Sequence, residues 1–349
     1  MDDISIKHSG DELRKQMPVK TTKSVQYDLF SKFLGDDDGL SNTVELWDWI
    51  PKYSVSKRQQ NILRNIDKRL PILKYQFEYK NVPCEIVVQP ASVKQPDGSF
   101  IDYYPSAREE IIEDVLRKIF TDQQYGIHDQ KERDSWVKFS LHMIYKELKK
   151  RKKTLNKNEI SEALEILSSS VIKLYINDKL FYSSAVLSDM VRIGHDEYME
   201  DRDNSWAARL PSILSTSLEN ITYRQYDYAL GMSMKNHLSR WLHKLLSHKY
   251  VYADFSTPYK ILYSEIYKNS GILSGTGTPK DRRNKVTLSL EELKALKVIL
   301  NYTENRVIGY KGKIENIEYI LMAHPNFVRS IKAANKRQKL AKEEITAIK

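Results

Sequence analysis

Four cations crowd the first two turns of one helical stretch: Lys280, Arg282, Arg283 and Lys285. Just ahead of them Thr278 can cap the helix, Pro279 suits its first position and Asp281 completes a capping box. Positive charge there opposes the positive end of the helix dipole and repels itself. Such a helix start loses stability unless an anion arrives, and phosphate is the natural one. A solvated basic face that falls at a helix start is the plainer alternative. Thr287 lies further along the same helix, and Lys311 and Lys313 flank Gly312 in the turn of a following hairpin. Charge at such a tip can hold a nucleic-acid backbone. A second basic run, Lys149, Lys150, Arg151, Lys152 and Lys153, reads as a solvated turn ahead of another helix. That helix turns Lys157, Asn158 and Ser161 outward, beside Glu159, Glu162 and Glu165. Glutamate can accept from cytosine, but three carboxylates facing phosphates weaken non-specific affinity. This helix therefore either binds DNA weakly or serves protein contacts.

Catalytic chemistry finds little support, and the expectation is a protein that is not an enzyme and needs no cofactor. The eight histidines are scattered, without metal-ligand spacing to cysteine or to one another. Only His195 with Asp196 and Glu197 suggests a metal, and His243 and His248 read as helix-surface residues. Gly275-Thr-Gly-Thr-Pro279 lacks the Gly-Lys-Ser/Thr of a Walker loop. No His-apolar-His motif accompanies the 22 tyrosines, which disfavours a tyrosine nucleophile. Glu109-Glu110 and Glu291-Glu292 fall in helix first turns, where capping explains them.

The elements that would carry the basic helices follow one order twice. In the first unit Ser106 and Glu109 form a capping box, and Ile111, Ile112, Val115, Leu116, Ile119 and Phe120 an apolar stripe. A second helix spans about 139–148. The third is capped by Asn156 with Glu159, and Ile160, Ala163, Leu164 and Leu167 form its buried face. Strands at 171–176 and 180–187 then flank the turn Asn177-Asp178. After a connector around 194–222, a helix spans about 231–246, and a second follows Pro258 and ends near Gly271. The third is the basic helix, with Val286, Leu290 and Leu293 inward, and a hairpin follows at 306–322. In such a unit the third helix can enter a DNA major groove while the hairpin touches backbone or minor groove. The expected fold is α+β and predominantly helical: two tandem winged-helix domains with short β-hairpin wings.

The division reads as 1–70, a partly disordered N-terminal extension; 71–195, the first domain; 196–335, the second; and 336–349, a charged helical tail. Residues 1 to about 45 are polar, with an acidic knot at Asp36, Asp37 and Asp38, and read as loosely ordered. A helical stretch then runs from Lys57 to Leu70, carrying Arg58, Arg64, Lys68 and Arg69. Among 349 residues, 41% are hydrophobic and 29% charged, enough for two cores. A net charge of +10 and a pI near 9.2 favour a polyanionic partner. Cys84, the only cysteine, lies in an apolar stretch (Val82–Val88) and reads as buried, with no disulfide or cysteine zinc site available to it. The chain opens Met1-Asp-Asp-Ile4 with no signal-peptide pattern and has no run of 18 apolar residues, which points to a cytoplasmic protein without membrane contact, or a nuclear one if eukaryotic.

Two stretches carry a family resemblance. Ile221-Thr-Tyr-Arg-Gln-Tyr-Asp-Tyr228, followed by Leu238-Ser-Arg-Trp-Leu-His-Lys-Leu-Leu246, resembles the entry into the C-terminal winged helix of plasmid replication initiators of the RepA and TrfA type. His324-Pro-Asn-Phe-Val-Arg-Ser-Ile-Lys-Ala-Ala-Asn335 is similar to the segment that closes it. The resemblance covers roughly 105–335 and is strongest in the second half. It implies a protein that binds direct repeats (iterons) in double-stranded origin DNA, helps to open the adjacent duplex, and recruits the host initiator and replicative helicase. It also implies a homodimer in equilibrium with monomer, the monomer active and the dimer repressing. The acidic third helix of the first unit and the long N-terminal segment depart from that pattern. A transcriptional regulator with the same domains, and a scaffold or enzyme that binds single strands through its tyrosines, remain the alternatives. Two different recognition helices in one chain disfavour an ordinary repressor, which more often gains its second helix by dimerising.

Overall fold

Each of the three capping boxes expected from sequence closes in the computed structural model, which describes residues 25–32, 38–122, 124–193, 205–275 and 277–348. Glu109 accepts from the Ser106 amide at 2.8 Å, Glu159 from that of Asn156 at 2.8 Å and Asp281 from that of Thr278 at 2.8 Å. Together they fix the starts of α4 (Ala107–Phe120), α6 (Lys157–Ser169) and α11 (Pro279–Ala295). Side-chain caps of this kind satisfy amides that the helix itself leaves unpaired.

The chain is mixed α/β rather than predominantly helical, with fifteen strands in five sheets among the described residues. In the first unit α4 leads through β6 (Gly126–Asp129) and β7 (Asp134–Ser140) to α5 (Leu141–Lys150) and α6. The hairpin β8 (Val171–Ile176) and β9 (Lys179–Ala185) turns at Asn177 and Asp178, both in the left-handed region. It is no free wing. Its β8 pairs antiparallel with β3 (Val82–Gln89), and β3 with β2 (Leu73–Tyr79), giving one sheet in the order β2-β3-β8-β9. Cys84 sits in β3 opposite Ile176 and is buried.

Much of the expected extension and connector is also built into this unit. Residues 1–24 and 33–37 lie outside the described set, but α1 (Val25–Lys32) buries Tyr27, Leu29 and Phe30. Strand β1 (Leu40–Val44) pairs with β12 (Tyr223–Asp227), and α2 (Glu45–Trp49) buries Trp47 completely. Residues 38–45 are therefore ordered by tertiary pairing that polar local sequence does not announce. Downstream of them come α3 (Lys57–Leu63) and the hairpin β4 (Ala91–Lys94) with β5 (Phe100–Tyr103). Strands β10 (Met190–Arg192) and β11 (Ser205–Arg209) complete a sheet with β7 and β6, and α7 (Ser212–Glu219) packs on β7. The apolar core that includes Ile112, Leu116 and Leu167 thus takes in Leu210, Leu218, Tyr226 and Met232, although sequence placed these residues in the second domain.

The single helix expected at 231–246 is two, α8 (Tyr228–Ser233) and α9 (His237–Lys249). Glu292 makes the break tolerable, because its carboxylate accepts from the amides of Lys235 at 2.7 Å and Asn236 at 3.1 Å. A strand unseen in the sequence, β13 (Tyr259–Leu262), precedes α10 (Tyr263–Ser270), which ends on left-handed Gly271. After α11 come β14 (Ile299–Ile308) and β15 (Ile314–Ala323), ten residues each, in the sheet β13-β15-β14. The short wing expected here is a long ribbon. A separate core gathers Leu242, Ile266, Val286, Leu290, Leu293 and Tyr319. The charged tail belongs to one helix, α12 (Pro325–Ile348), that returns to the first unit. Its Ala341 is buried there, and Asn335 and Gln338 accept from Arg224 at 2.5 and 3.1 Å.

The two units meet along a seam of buried charge. From α9, Lys244 reaches Asp114 at 2.8 Å, Glu110 at 3.3 Å and Asp48 at 3.7 Å, while Arg240 holds Glu110 at 3.0 Å. Arg117 grips Asp48 at 2.7 Å, and Trp47 and Tyr53 both donate to Glu113. Burial works against the charge on Lys244, yet Asp114, Glu110 and Asp48 keep its pKa well above ordinary. Such groups are costly to bury unless paired.

Candidate nucleic-acid interface

The apolar side of α11 decides what the other side presents. Val286, Leu290 and Leu293 are completely buried, each contributing about 1.5–3 kcal/mol of transfer free energy. That orientation leaves Lys280, Asn284 and Leu288 exposed, each four residues after the last and so on one line along the helix, with Thr287 half-buried beside them. Leu288 is 61% exposed. Sequence reading passed over Asn284 and Leu288, although Leu288 falls off the 286/290/293 stripe and is an apolar residue on a polar face.

The expected basic cluster divides. Lys280 projects from the first turn. Arg282 turns back, its guanidinium 5.4 Å from the Tyr267 ring centre and 3.3 Å from the Gly277 carbonyl. Arg283 is half-buried, with its charge acting on the phenols of Tyr263 and Tyr319. Lys285 lies at the edge of the face, its pKa pushed down by burial. At the far end the Tyr302 hydroxyl of β14 donates to Glu291 at 2.8 Å, and Glu292, four residues after Leu288, is taken up by the amides of Lys235 and Asn236.

On the ribbon, Lys313 is exposed next to a turn of 310–312 helix in which Gly312 takes φ 71. The side chain of Lys311 lies outside the described residues. Val307, Ile308 and Tyr310 are 49, 56 and 81% exposed, so the tip is more apolar than its lysines suggest.

In the first unit the basic turn is not simply solvated. Lys150 and Arg151 both pair with Asp38, and against the effect of burial they hold its carboxyl below the usual range. Arg151 also binds Glu147 at 2.8 Å, and Lys153 donates to the Met234 carbonyl at 2.8 Å. Lys149 and Lys152 remain exposed. Helix α6 presents Lys157, Asn158 and Ser161 outward as expected. Its acidic character is smaller than it reads: Glu159 is spent on the cap, and Glu162 is held by Arg108 at 2.6 Å. Only Glu165 stays exposed.

His243 and His248, expected on a helix surface, are not there. His243 is buried, and His248 is half-buried with Nε2 3.3 Å from the Thr43 hydroxyl. His195, Asp196 and Glu197 lie outside the described residues. Among the described residues no cluster of three metal-ligating side chains occurs, and no helix is long and apolar enough to cross a membrane.

No family model matches this sequence, and no curated protein matches it. Similar solved structures include domains 2 and 3 of RctB as a selenomethionine derivative, at 12% identity and a TM-score of 0.44, covering 76% of this chain and 98% of that one. A second RctB structure of the same two domains gives 10% and 0.42, covering 81% and 98%. The Pi initiator protein in complex with iteron DNA gives 11% and 0.42, covering 63% and 91%.

Proposed function

We propose that this chain is a replication initiator that binds repeated sites in duplex DNA through two winged-helix units. The observation that carries the reading is the outward line of α11, where Lys280, Asn284 and Leu288 stand free of the core on a helix capped and anchored for docking. Asparagine can pair with both major-groove edges of adenine, an apolar side chain suits the thymine methyl, and Lys280 suits phosphate. The order α9, β13, α10, α11 and ribbon supports a winged-helix unit. In the first unit α4, α5, α6 and the β8–β9 hairpin support another, with α6 as its second reading helix. The loss of two of its three carboxylates to cap and ion pair favours α6 as a DNA contact.

In this reading the protein sits at origin repeats, promotes opening of the neighbouring duplex and hands the site to the host initiator and replicative helicase. It works in the cytoplasm without cofactor or enzymatic step, and a monomer–dimer equilibrium sets its activity. Asn284→Ala is expected to weaken specific binding by about 1–3 kcal/mol and to relax preference at one base position. Lys280→Ala should weaken all sequences alike and lower the salt slope by about 1. Footprinting at moderate salt on the DNA flanking the gene is the direct check. Absence of protected repeats there, or Asn284→Ala with unchanged affinity and preference, would overturn the reading.

A further inference from the structure

A stretch that composition marks as a basic extension has an unusually apolar surface. Ile62, Leu63 and Ile66 are 75, 46 and 97% exposed, and Ile72 follows at 54%. Single exposed apolar residues are ordinary, but four within eleven positions form a patch. Lys57, Arg58 and Lys68 are exposed around it.

Ile66 stands at the tip of a closed turn. The Asn65 amide donates to the Arg69 carbonyl at 3.0 Å, and Asn65 Oδ1 accepts from the Arg69 amide at 2.8 Å. Lys68 takes the left-handed conformation that the turn requires. Asp102 of β5 anchors it, accepting from Arg69 Nη1 at 3.0 Å and the Leu70 amide at 3.1 Å. Arg64 donates to the Asp102 carbonyl at 2.8 Å and lies over the Tyr103 ring. An exposed isoleucine on a turn fixed at both ends is preorganised to meet something.

Its neighbours suggest what. The β4–β5 hairpin that holds the turn packs on α6 through Ala91, Val93 and Ile166. On the other side, Gln59 of α3 donates to the Ser274 carbonyl at 2.6 Å, in the loop that leads into α11. The segment therefore links the surroundings of both candidate reading helices.

We propose that α3 and the Asn65–Arg69 turn form a third DNA-contacting element, in which Lys57, Arg58 and Lys68 bind phosphates while Ile62 and Ile66 wedge into the minor groove. The proposal rests on the DNA-binding reading above. Apolar wedges flanked by cations are a general means of unstacking and bending a duplex, and Lys57, Arg58 and Lys68 outnumber the turn's one exposed carboxylate, Asp67, which favours a polyanion over an apolar protein groove. Bending energy depends on the steps bent, so such a wedge would also add sequence preference without a base contact.

The test uses the full chain and duplexes it selects from a random-sequence library, with bending read from gel mobility of permuted sites. Ile62→Ser with Ile66→Ser should abolish most of the bend and weaken binding about tenfold, equivalent to about 1.4 kcal/mol. Ile66→Leu should keep the bend, and Lys57→Ala with Arg58→Ala should lower the salt slope by about 2. Both isoleucines are exposed, so thermal unfolding should not change. An unchanged bend and affinity in the double serine variant, with Asn284→Ala still defective, would overturn the wedge and leave the DNA-binding reading standing. Selection of no duplex by the wild-type chain would overturn both. Isoleucine-dependent capture by phosphatidylserine vesicles, with DNA bending intact, would reassign the patch to a lipid surface.

Discussion

Lys244→Met is expected to lower stability by about 3–5 kcal/mol, because it leaves buried carboxylates without their shared cation. Lys244 contacts Asp114, Glu110 and Asp48 together. Methionine fills similar volume but cannot compensate those charges: Arg117 and Arg240 are already committed to Asp48 and Glu110, Lys52 faces Glu113, and Arg117 comes only to 4.0 Å from Asp114. Urea unfolding of wild type and variant measures the difference. Lys280→Met, at an exposed site, should stay within about 0.5 kcal/mol. Asp114→Asn in the Lys244→Met background should restore part of the loss, since it removes one of the orphaned charges. A Lys244→Met midpoint as high as that of Lys280→Met would show that the seam is not held by ionised pairs. Because α9 belongs to the second unit and α2 and α4 to the first, the same variant should also separate the unfolding of the two.

Acidification from pH 7 to pH 5 is expected to destabilise the protein, and the histidines set the sign. Burial, with the positive charge of Lys244 next to it, pushes the His243 imidazole down to about 4, and burial pushes His248 down to about 4 as well. Unfolded, each titrates near 6.5. Between those values the unfolded chain takes up protons that the folded chain refuses, so stability present above about pH 6.5 is lost as the pH falls towards 4. The loss at pH 5 is about 2 kcal/mol for each histidine. Asp114 works in the opposite direction. Burial and the neighbouring Glu110 charge raise it to about 6 against the pull of Lys244, so the folded state gains a proton first and gains stability over the same window. One such gain does not offset two histidines, and the net change is a loss of about 2–3 kcal/mol. Asp48 and Glu110, held well below their usual range by Arg117, Lys244 and Arg240 despite burial, add a further loss only below about pH 4. Urea midpoints at pH 7 and pH 5 check this, and His243→Gln should remove most of the dependence, about 2 of those 2–3 kcal/mol. Stability that rises on going to pH 5 would contradict the assignment.

The basic helix α11 was legible in sequence because everything that forms it is local. Thr278, Pro279 and Asp281 start it, and Val286, Leu290 and Leu293 orient it. The same holds for α4 and α6, whose caps and apolar stripes lie within a few residues of one another. Which cations are available was not legible. Arg282 is drawn to Tyr267, Lys150 and Arg151 to Asp38, and Lys153 to the Met234 carbonyl, all partners distant in sequence. His243 reads as surface on a polar helix, yet that helix is surrounded because its charges are neutralised across the seam.

Four cations at residues 280–285 behind a capped helix start were set by local sequence alone, and so were the face that α11 buries and the excess of positive charge. Only the tertiary structure decided which of those cations stay outward, with Lys280 projecting while Arg282 folds back over the Tyr267 ring. It likewise made a platform of the N-terminal stretch, through the Asp102 anchor and the Gln59 contact. The physical reason is range: caps and helical periodicity act over one or two turns. Ion pairs, strand pairing and burial act between residues that only the folded chain brings together.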